Sequence, residues 1–155
     1  MHLERPMIRH ICSVGEIVDD LPKAIAHYRD ILGLAVEEMP GTGFALVKVP
    51  GVLHFGLWTR EAAAEHTFGD RSQGGRVPLG FSVAFEVDSV QATVEEVSGK
   101  GAAFAQQPQQ EPWGQITARF FSPSGALCEV CETSWARELI QDVKAKGLAK
   151  TKGNA

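Results

Sequence analysis

The sequence predicts an α+β fold made of two successive βαβββ modules, followed by a C-terminal helix. Two observations predict it. Runs of β-branched residues alternate with one amphipathic helix in the first half of the 155-residue chain, and the second half repeats that order. Asp20-Leu21 and Ser89-Val90 are matching helix starts about 69 residues apart, and such repetition is typical of two copies of one supersecondary unit.

The first module is predicted over residues 8–59. A strand at Ile8–Val18 precedes Asp19 and Asp20, either of which caps a helix. The helix carries apolar residues at intervals of three and four and stops at Gly33. Pro-Gly turns then separate three further strands, which are predicted at Leu34–Glu38, Gly43–Val49 and Val52–Trp58.

The second module is predicted over residues 79–133. Its first strand, Phe81–Val87, leads into a helix that is capped at Asp88-Ser89 and ends at Gly99. A long loop is expected over Gln106–Trp113. The three remaining strands are predicted at Ala102–Ala105, Thr117–Phe121 and Ala126–Glu132.

Two segments fall outside the modules. Residues 60–78 are rich in Ala, Gly and charge, and they are interpreted as a linker with a short helical turn at Glu61–Glu65. Residues 134–155 are predicted to form a C-terminal helix and a basic tail. The packing stripe of that helix is expected at Trp135, Leu139 and Val143.

Composition excludes several classes of partner. A formal charge of −4 gives no general attraction to nucleic acid or to membrane surfaces. No apolar run reaches the ~20 residues needed to span a bilayer. The start of the chain lacks the pattern of a secretory signal.

Three cysteines without a framework spacing predict reduced thiols in a cytoplasmic protein. Cys128 and Cys131 lie three apart in a strand, so we expect them on opposite faces and without a shared metal.

Several motifs resemble one known family. Val18–Ala24 followed by His27–Gly33 resembles the opening module of the glyoxalase/bleomycin-resistance/dioxygenase family, the vicinal oxygen chelate superfamily. Phe85–Val90 resembles the opening of its second module, and residues 111–129 resemble the closing hairpin. The resemblance covers roughly residues 8–132. It implies a curved mixed sheet around a cleft, a small-molecule ligand and a homodimer.

The resemblance also implies a divalent ion (Zn, Ni, Mn or Fe) held by the first and last strands of each module. The family positions fall on Ser13, Phe55, Ser82 and Glu129. Only Glu129 is an ordinary ligand type, which favours an absent or incomplete metal site. His10 is a further candidate ligand if a bulge turns it to the face of Ser13. His54 lies beside Phe55 and is expected on the opposite face.

Glu129 is the candidate catalytic group, as a metal ligand or a general base, and the alternative is a structural pair with Arg119. Two functions stay open. One is a glyoxalase-like lyase, isomerase or dioxygenase-type enzyme with a degenerate metal site. The other is a metal-free protein that binds and sequesters a small molecule of the antibiotic type. A third is partner binding through the Trp135 helix. The substrate-binding candidates are Ser13, Phe55, Ser82, Trp113, Gln115 and Arg119.

Overall fold

The computed structural model describes residues 7–135, which form eight strands and three α-helices. The helices are α1 (Leu21–Ala26), which continues as a π-helical turn over His27–Ile31, α2 (Arg60–Phe68) and α3 (Val90–Gly99). A 3-10 helix spans Arg71–Arg76. The strands are β1 (Ile8–Val18), β2 (Ala35–Met39), β3 (Phe44–Lys48), β4 (His54–Thr59), β5 (Gly80–Val87), β6 (Gln106–Gln110), β7 (Ile116–Phe121) and β8 (Leu127–Glu132).

All eight strands belong to one open mixed sheet in the order β2-β3-β4-β1-β5-β8-β7-β6. Each module places its first strand parallel to its last one, as β1 with β4 and β5 with β8. The two modules join within the chain through antiparallel β1 and β5. The predicted α+β fold with two βαβββ modules is confirmed.

The two faces of the sheet carry different helices. On one face, here called the outer face, α1 packs on Val47 and Leu57 and α3 packs on Ala118 and Val130. The opposite face, here called the α2 face, carries Ile17 and Leu127 against Ala63 and Ala64 of α2. Alternation along each strand therefore decides which side chains reach the α2 face.

The segment between the modules is an ordered part of the fold. The side chain of Thr59 accepts a hydrogen bond from the Ala62 amide and caps α2, and Gly69 ends the helix with φ +72°. Ala62, Ala63 and Ala64 are buried because their small side chains let α2 approach the sheet closely. The expected short turn within a linker is therefore a full helix that covers the α2 face.

One predicted strand is displaced. The chain forms β6 at Gln106–Gln110, not at Ala102–Ala105, and the loop expected over residues 106–113 is partly strand. Pairing outweighs the low strand propensity of glutamine, because β6 bonds to β7 and Gln106 donates to Thr117. Pro108 is tolerated because β6 is an edge strand.

Strand β1 contains two register shifts, between Ile8 and His10 and between Ile11 and Ser13. At the second shift, Cys12 and Ser13 together oppose Ala84, which is the arrangement of a β-bulge. The bulge turns Cys12 to the α2 face, where it packs with Ala84 and Cys131. It also reverses the alternation upstream, so His10 pairs with Glu86 on the same face as Ser13.

The predicted C-terminal helix lies outside the described residues beyond Trp135, whose side chain is exposed. Within residues 7–135, no helix is both long and apolar enough to cross a membrane.

Candidate functional site

Four small residues form the centre of the α2 face. Gly15 pairs with Ser82 on one side and Gly56 on the other, and Ser13 lies two residues along β1. A Cβ atom added at Gly15 would stand 3.0 Å from the Ser82 hydroxyl oxygen and 3.9 Å from the Trp58 indole nitrogen. Ser13, Gly15 and Ser82 are partly exposed. These four residues are called the floor from here on, and two of them, Ser13 and Ser82, carry hydroxyl groups on this face.

The register of β4 differs from the expectation at Phe55. Phe55 lies on the outer face, where its ring is 5.4 Å from that of Tyr28 and 6.5 Å from that of Phe81. Gly56 takes the position on the α2 face. His54 pairs with Ser13 and stacks on Phe44 at 5.9 Å, so it shares the α2 face with the floor. His54 and Phe55 therefore lie on the faces opposite to those expected, because β4 pairs with β1 in the register that sets His54 opposite Ser13.

The four family positions do not fit a divalent ion. Three of the predicted positions, Ser13, Ser82 and Glu129, lie on the α2 face, where Gly56 takes the place of the predicted Phe55, and only Glu129 of these is a common ligand. The space for a side chain at position 56 is filled, because an added Cβ would lie 2.6 Å from the Phe44 ring. One carboxylate with two hydroxyls is a poor donor set for the ions named above, so no chemical step through such an ion is derived.

Glu129 is held by a buried arginine. Arg119 Nε lies 3.1 Å from the Glu129 carboxylate, and Arg119 Nη2 lies 2.8 Å from Glu111. The remaining donor, Nη1, bonds to Gln106 and to the backbone oxygen of His66. Arg119 is 2% exposed, and its guanidinium lies 5.5 Å from the centre of the Trp58 ring. Its donors therefore go to protein acceptors, and direct contact with a ligand stays a prediction.

This cluster attaches α2 to the sheet. The His66 carbonyl lies in the last turn of α2, where backbone oxygens lack helical partners. It accepts from Arg119 at 3.1 Å and from Gln109 at 2.9 Å. The His66 ring also contacts Glu111, with Nδ1 3.5 Å from the carboxylate. A buried cation at the negative end of the helix is electrostatically favourable.

The two carboxyl groups beside Arg119 titrate differently. Burial raises the pKa of Glu111, but the hydrogen bond to His66, the charge of Arg119 and the bonds to Thr117 and Gln109 outweigh burial and lower that pKa to about 2. Burial raises the pKa of Glu129, and the opposing effect of Arg119 does not reverse the shift. Glu111 is thus the permanent counterion of Arg119, and Glu129 is the group that takes up a proton more readily.

The remaining candidates lie at the edges of this face. Trp113 is half exposed, donates to Gln115 and lies 5.1 Å from the His66 ring. Gln115 is 9% exposed and donates to Thr133 at 2.7 Å. The Nε2 atom of His10 is shielded from solvent and has no hydrogen-bond partner among the described residues. Ligand contacts by Trp113 and Gln115 stay predictions.

The structure contains a second buried polar cluster that the sequence analysis does not predict. Cys12, Glu86 and Cys131 offer ligand atoms within 4.8 Å of one another, and Thr133 lies beside them. Cys128 and Cys131 do face opposite ways, since Cys131 packs with Cys12 and Ala84 while its neighbour Val130 packs under α3. Glu86 lies four residues after Ser82 on β5, so alternation places both on the same face, and this spacing was the sequence signal for Glu86. Cys12 carried none, because only the bulge turns it inward.

Comparison with known proteins identifies the family. The model of the Glyoxalase/Bleomycin resistance protein/Dioxygenase superfamily matches residues 8–130. A search of the curated proteins finds no match. Among solved structures, a hypothetical protein from Bacillus halodurans C-125 has a TM-score of 0.57 at 20% identity, with coverage of 81% of this chain and 94% of that one.

Two other solved structures have the same fold. Methylmalonyl-CoA epimerase from Streptomyces coelicolor, in complex with 2-nitronate-propionyl-CoA, has a TM-score of 0.54 at 18% identity and covers 82% and 99% of the two chains. A superfamily member from Vibrio splendidus 12B01 has a TM-score of 0.52 at 18% identity, with coverage of 78% and 97%. With the family model spanning both modules, the chain belongs to the glyoxalase/bleomycin resistance protein/dioxygenase superfamily.

Proposed function

We propose that the protein binds a small organic molecule over the floor of the α2 face, without a metal ion at the four family positions. The observation that carries this proposal is the residue set Ser13, Gly56, Ser82 and Glu129. The small residues at three of these positions offer no ordinary metal ligand, and Ser13 and Ser82 are partly exposed on this face. The remaining carboxylate is engaged by Arg119 at 3.1 Å.

The chemistry around the floor suits an uncharged, partly aromatic ligand. The hydroxyls of Ser13 and Ser82 both donate and accept hydrogen bonds. Trp58 is a partly buried aromatic wall beside Gly15, and His54 adds an exposed imidazole next to Ser13. Apolar surface with a few convergent polar groups is typical of small-molecule sites. Sequestration of an antibiotic-type molecule is the function that such a site supports without any catalytic step.

A thermal-shift screen tests this binding. The probes are aromatic and peptide antibiotics together with small carbonyl and hydroxy compounds, each with a chelator and with added Zn²⁺ or Mn²⁺. We expect at least one organic probe to raise the Tm equally in both conditions. A ligand present at about 100 times its Kd adds roughly 2.7 kcal/mol to the stability of the native state. The variant Ser13→Leu fills the floor, so we expect it to abolish that shift.

The matched control is Ile11→Leu, on the same strand but with a side chain that is 56% exposed. It should keep the full shift. If no organic probe stabilises the protein, or if Ser13→Leu responds like the native chain, binding over the floor is contradicted.

A second candidate function is proton transfer by Glu129. Its carboxyl group stands at the family position and keeps 16% of its side chain exposed on the face that carries the floor. Arg119 fixes the orientation of one oxygen, and the group is thereby positioned as a general acid–base for a compound with an acidic C–H bond next to a carbonyl. The structural likeness to methylmalonyl-CoA epimerase makes an acyl thioester the first probe to use.

Hydrogen–deuterium exchange measures this activity directly. The protein is incubated in D₂O with methylmalonyl-CoA and with simpler carbonyl compounds, and loss of the C–H signal is followed by NMR. We expect Glu129→Gln to slow enzyme-dependent exchange by at least about 100-fold. Glu38→Gln, which changes an exposed carboxylate on β2, should leave the rate unchanged. If no probe exchanges, or if Glu129→Gln and Glu38→Gln exchange at the same rate, proton transfer by Glu129 is contradicted and only the binding function is left.

The predicted homodimer and cytoplasmic location remain part of this proposal. Members of the superfamily often form dimers, and the exposed Phe81 and Ile11 on the central strands offer apolar surface for one.

A further inference from the structure

We propose that Cys12, Glu86 and Cys131 form a buried site for a thiophilic divalent cation, Zn²⁺ in the first place, with the Thr133 hydroxyl at the fourth corner. This site uses none of the four family positions. It does not depend on the function proposed above, because Ser13, Gly56, Ser82 and Glu129 are not among its ligands.

The distances within the cluster fit a tetrahedral ion. Cys12 Sγ lies 3.6 Å from Thr133 Oγ1, and Cys131 Sγ lies 3.7 Å from the same oxygen. Cys131 Sγ lies 3.5 Å from Glu86 Oε2. Bond lengths of about 2.3 Å to sulfur and 2.0–2.2 Å to oxygen place tetrahedral ligand atoms about 3.5–3.8 Å apart. These three edges already have this length, and the ligand atoms of Cys12, Glu86 and Cys131 all lie within 4.8 Å of one another.

The backbone brings these groups together by specific means. Strands β1 and β8 flank β5 and do not pair with each other, so their backbones are separated by about twice the usual ~4.8 Å spacing. Their sulfur atoms nevertheless lie within 4.8 Å. The bulge at Cys12 and Ser13 turns the first thiol toward the second, and bulges are over-represented beside functional sites.

The environment suits a closed structural site. Cys12, Glu86 and Thr133 are each 1% exposed, and Cys131 is fully buried. Glu86 Oε1 accepts from the Thr133 amide at 2.8 Å, which orients the carboxylate from behind. Gln115 in turn donates to the Thr133 hydroxyl. Such surrounding hydrogen bonds position the ligands of metal sites. Binding deprotonates the two thiols, so one ion entering releases two protons.

The site would act as a clamp between the modules. Cys12 belongs to β1 of the first module, whereas Glu86 and Cys131 belong to β5 and β8 of the second. A bound ion therefore links three strands across the junction, and its binding energy adds to the stability of the folded chain.

Cobalt spectroscopy on the full chain tests the proposal. The reduced protein is refolded with Co²⁺, since the buried site loads most readily during folding. We expect one Co²⁺ per chain, a thiolate-to-cobalt charge-transfer band in the near ultraviolet, and displacement by Zn²⁺. Either Cys12→Ser or Cys131→Ser should weaken binding by about 100-fold or more and remove most of the band. Cys128→Ser, a buried thiol on the same strand, is the matched control and should bind like the native chain.

Glu86→Gln gives an independent check if a cysteine variant does not fold. It keeps an acceptor for the Thr133 amide but removes the ligand charge, so we expect a retained circular dichroism spectrum and weaker Co²⁺ binding. Absence of the charge-transfer band in the folded native chain would overturn the proposal. So would a band that persists in both Cys12→Ser and Cys131→Ser, or one that is lost only in Cys128→Ser.

Discussion

Replacing Arg119 by methionine should lower the free energy of unfolding by about 3–5 kcal/mol at neutral pH, the range for a buried ion pair that loses one partner. The physical reason is the pair of carboxylates left behind. Glu111 is 3% exposed and Glu129 keeps 16% of its side chain exposed, and both bond to the guanidinium. Methionine fills similar space but provides no positive charge. The variant also leaves the His66 carbonyl with fewer donors.

Urea denaturation of both proteins measures the loss, with Lys48→Met as the matched control. Lys48 forms an ion pair with Glu37 at 2.9 Å, but both side chains are about half exposed. Exposed pairs contribute little, so we expect a change below about 1 kcal/mol. A similar small loss for Arg119→Met would show that the buried cluster does not attach α2 to the sheet.

The deficit of Arg119→Met should depend on pH. In the native chain the pKa of Glu111 is lowered to about 2, so its stabilising contribution is present above the unfolded pKa of about 4.5 and is lost as the pH falls toward 2. Without Arg119 the folded pKa of Glu111 rises and protonation becomes less costly. The difference between native and variant stability should therefore shrink below about pH 4.5. A deficit that is constant from pH 7 to pH 3 would contradict this account.

The architecture was predictable because it repeats. The helix starts at Asp20 and Ser89 and the glycine stops at Gly33 and Gly99 are local signals. Each signal depends only on residues a few positions away in the chain. The side chains of Asp20 and Ser89 accept hydrogen bonds from the backbone amides of Lys23 and Ala92, as the capping prediction requires. Seven of the eight strands lie close to where the apolar runs predict them. These signals do not depend on distant parts of the chain.

The errors occurred where distant contacts decide the outcome. The residues of β6 are polar and contain a proline, so only their pairing with β7 makes them a strand. The α2 segment is rich in alanine, which indicates a helix weakly and gives no hint that it covers Ile17 and Leu127. Its covering role depends on residues far from it in the sequence.

The faces on which the site candidates lie also depend on distant contacts. Side chains in a strand change face at every position, so the pairing of His54 with Ser13 puts His54 and Gly56 on the α2 face and Phe55 on the outer face. In β1, the bulge brings Cys12 and His10 to the face of Ser13 against simple alternation. Strand pairing and the bulge thus decide which side chains lie beside Ser13, and the roles of the family positions stay predictions.

Gly56→Ala should cost about 1–3 kcal/mol in unfolding free energy, the range for overpacking a filled core position. The backbone at Gly56 needs no positive φ, so the cost comes from space alone. The new methyl group would stand 2.6 Å from one carbon of the Phe44 ring and 2.9 Å from another. Phe44 is itself stacked on His54 and cannot move without breaking that contact. Urea denaturation measures the loss.

The control and the rescue separate space from backbone effects. Gly99→Ala, in the last turn of α3 with no atom within 4 Å of the added carbon, should be neutral or slightly stabilising. In a Phe44→Leu background the penalty of Gly56→Ala should fall well below its native value, because the ring that blocks the methyl group is gone. An unchanged penalty would mean that something other than Phe44 closes position 56. A reduced penalty would show that the Phe44 ring occupies the space that a larger side chain at position 56 needs. Placing a ligand side chain there would then first require a smaller residue at position 44.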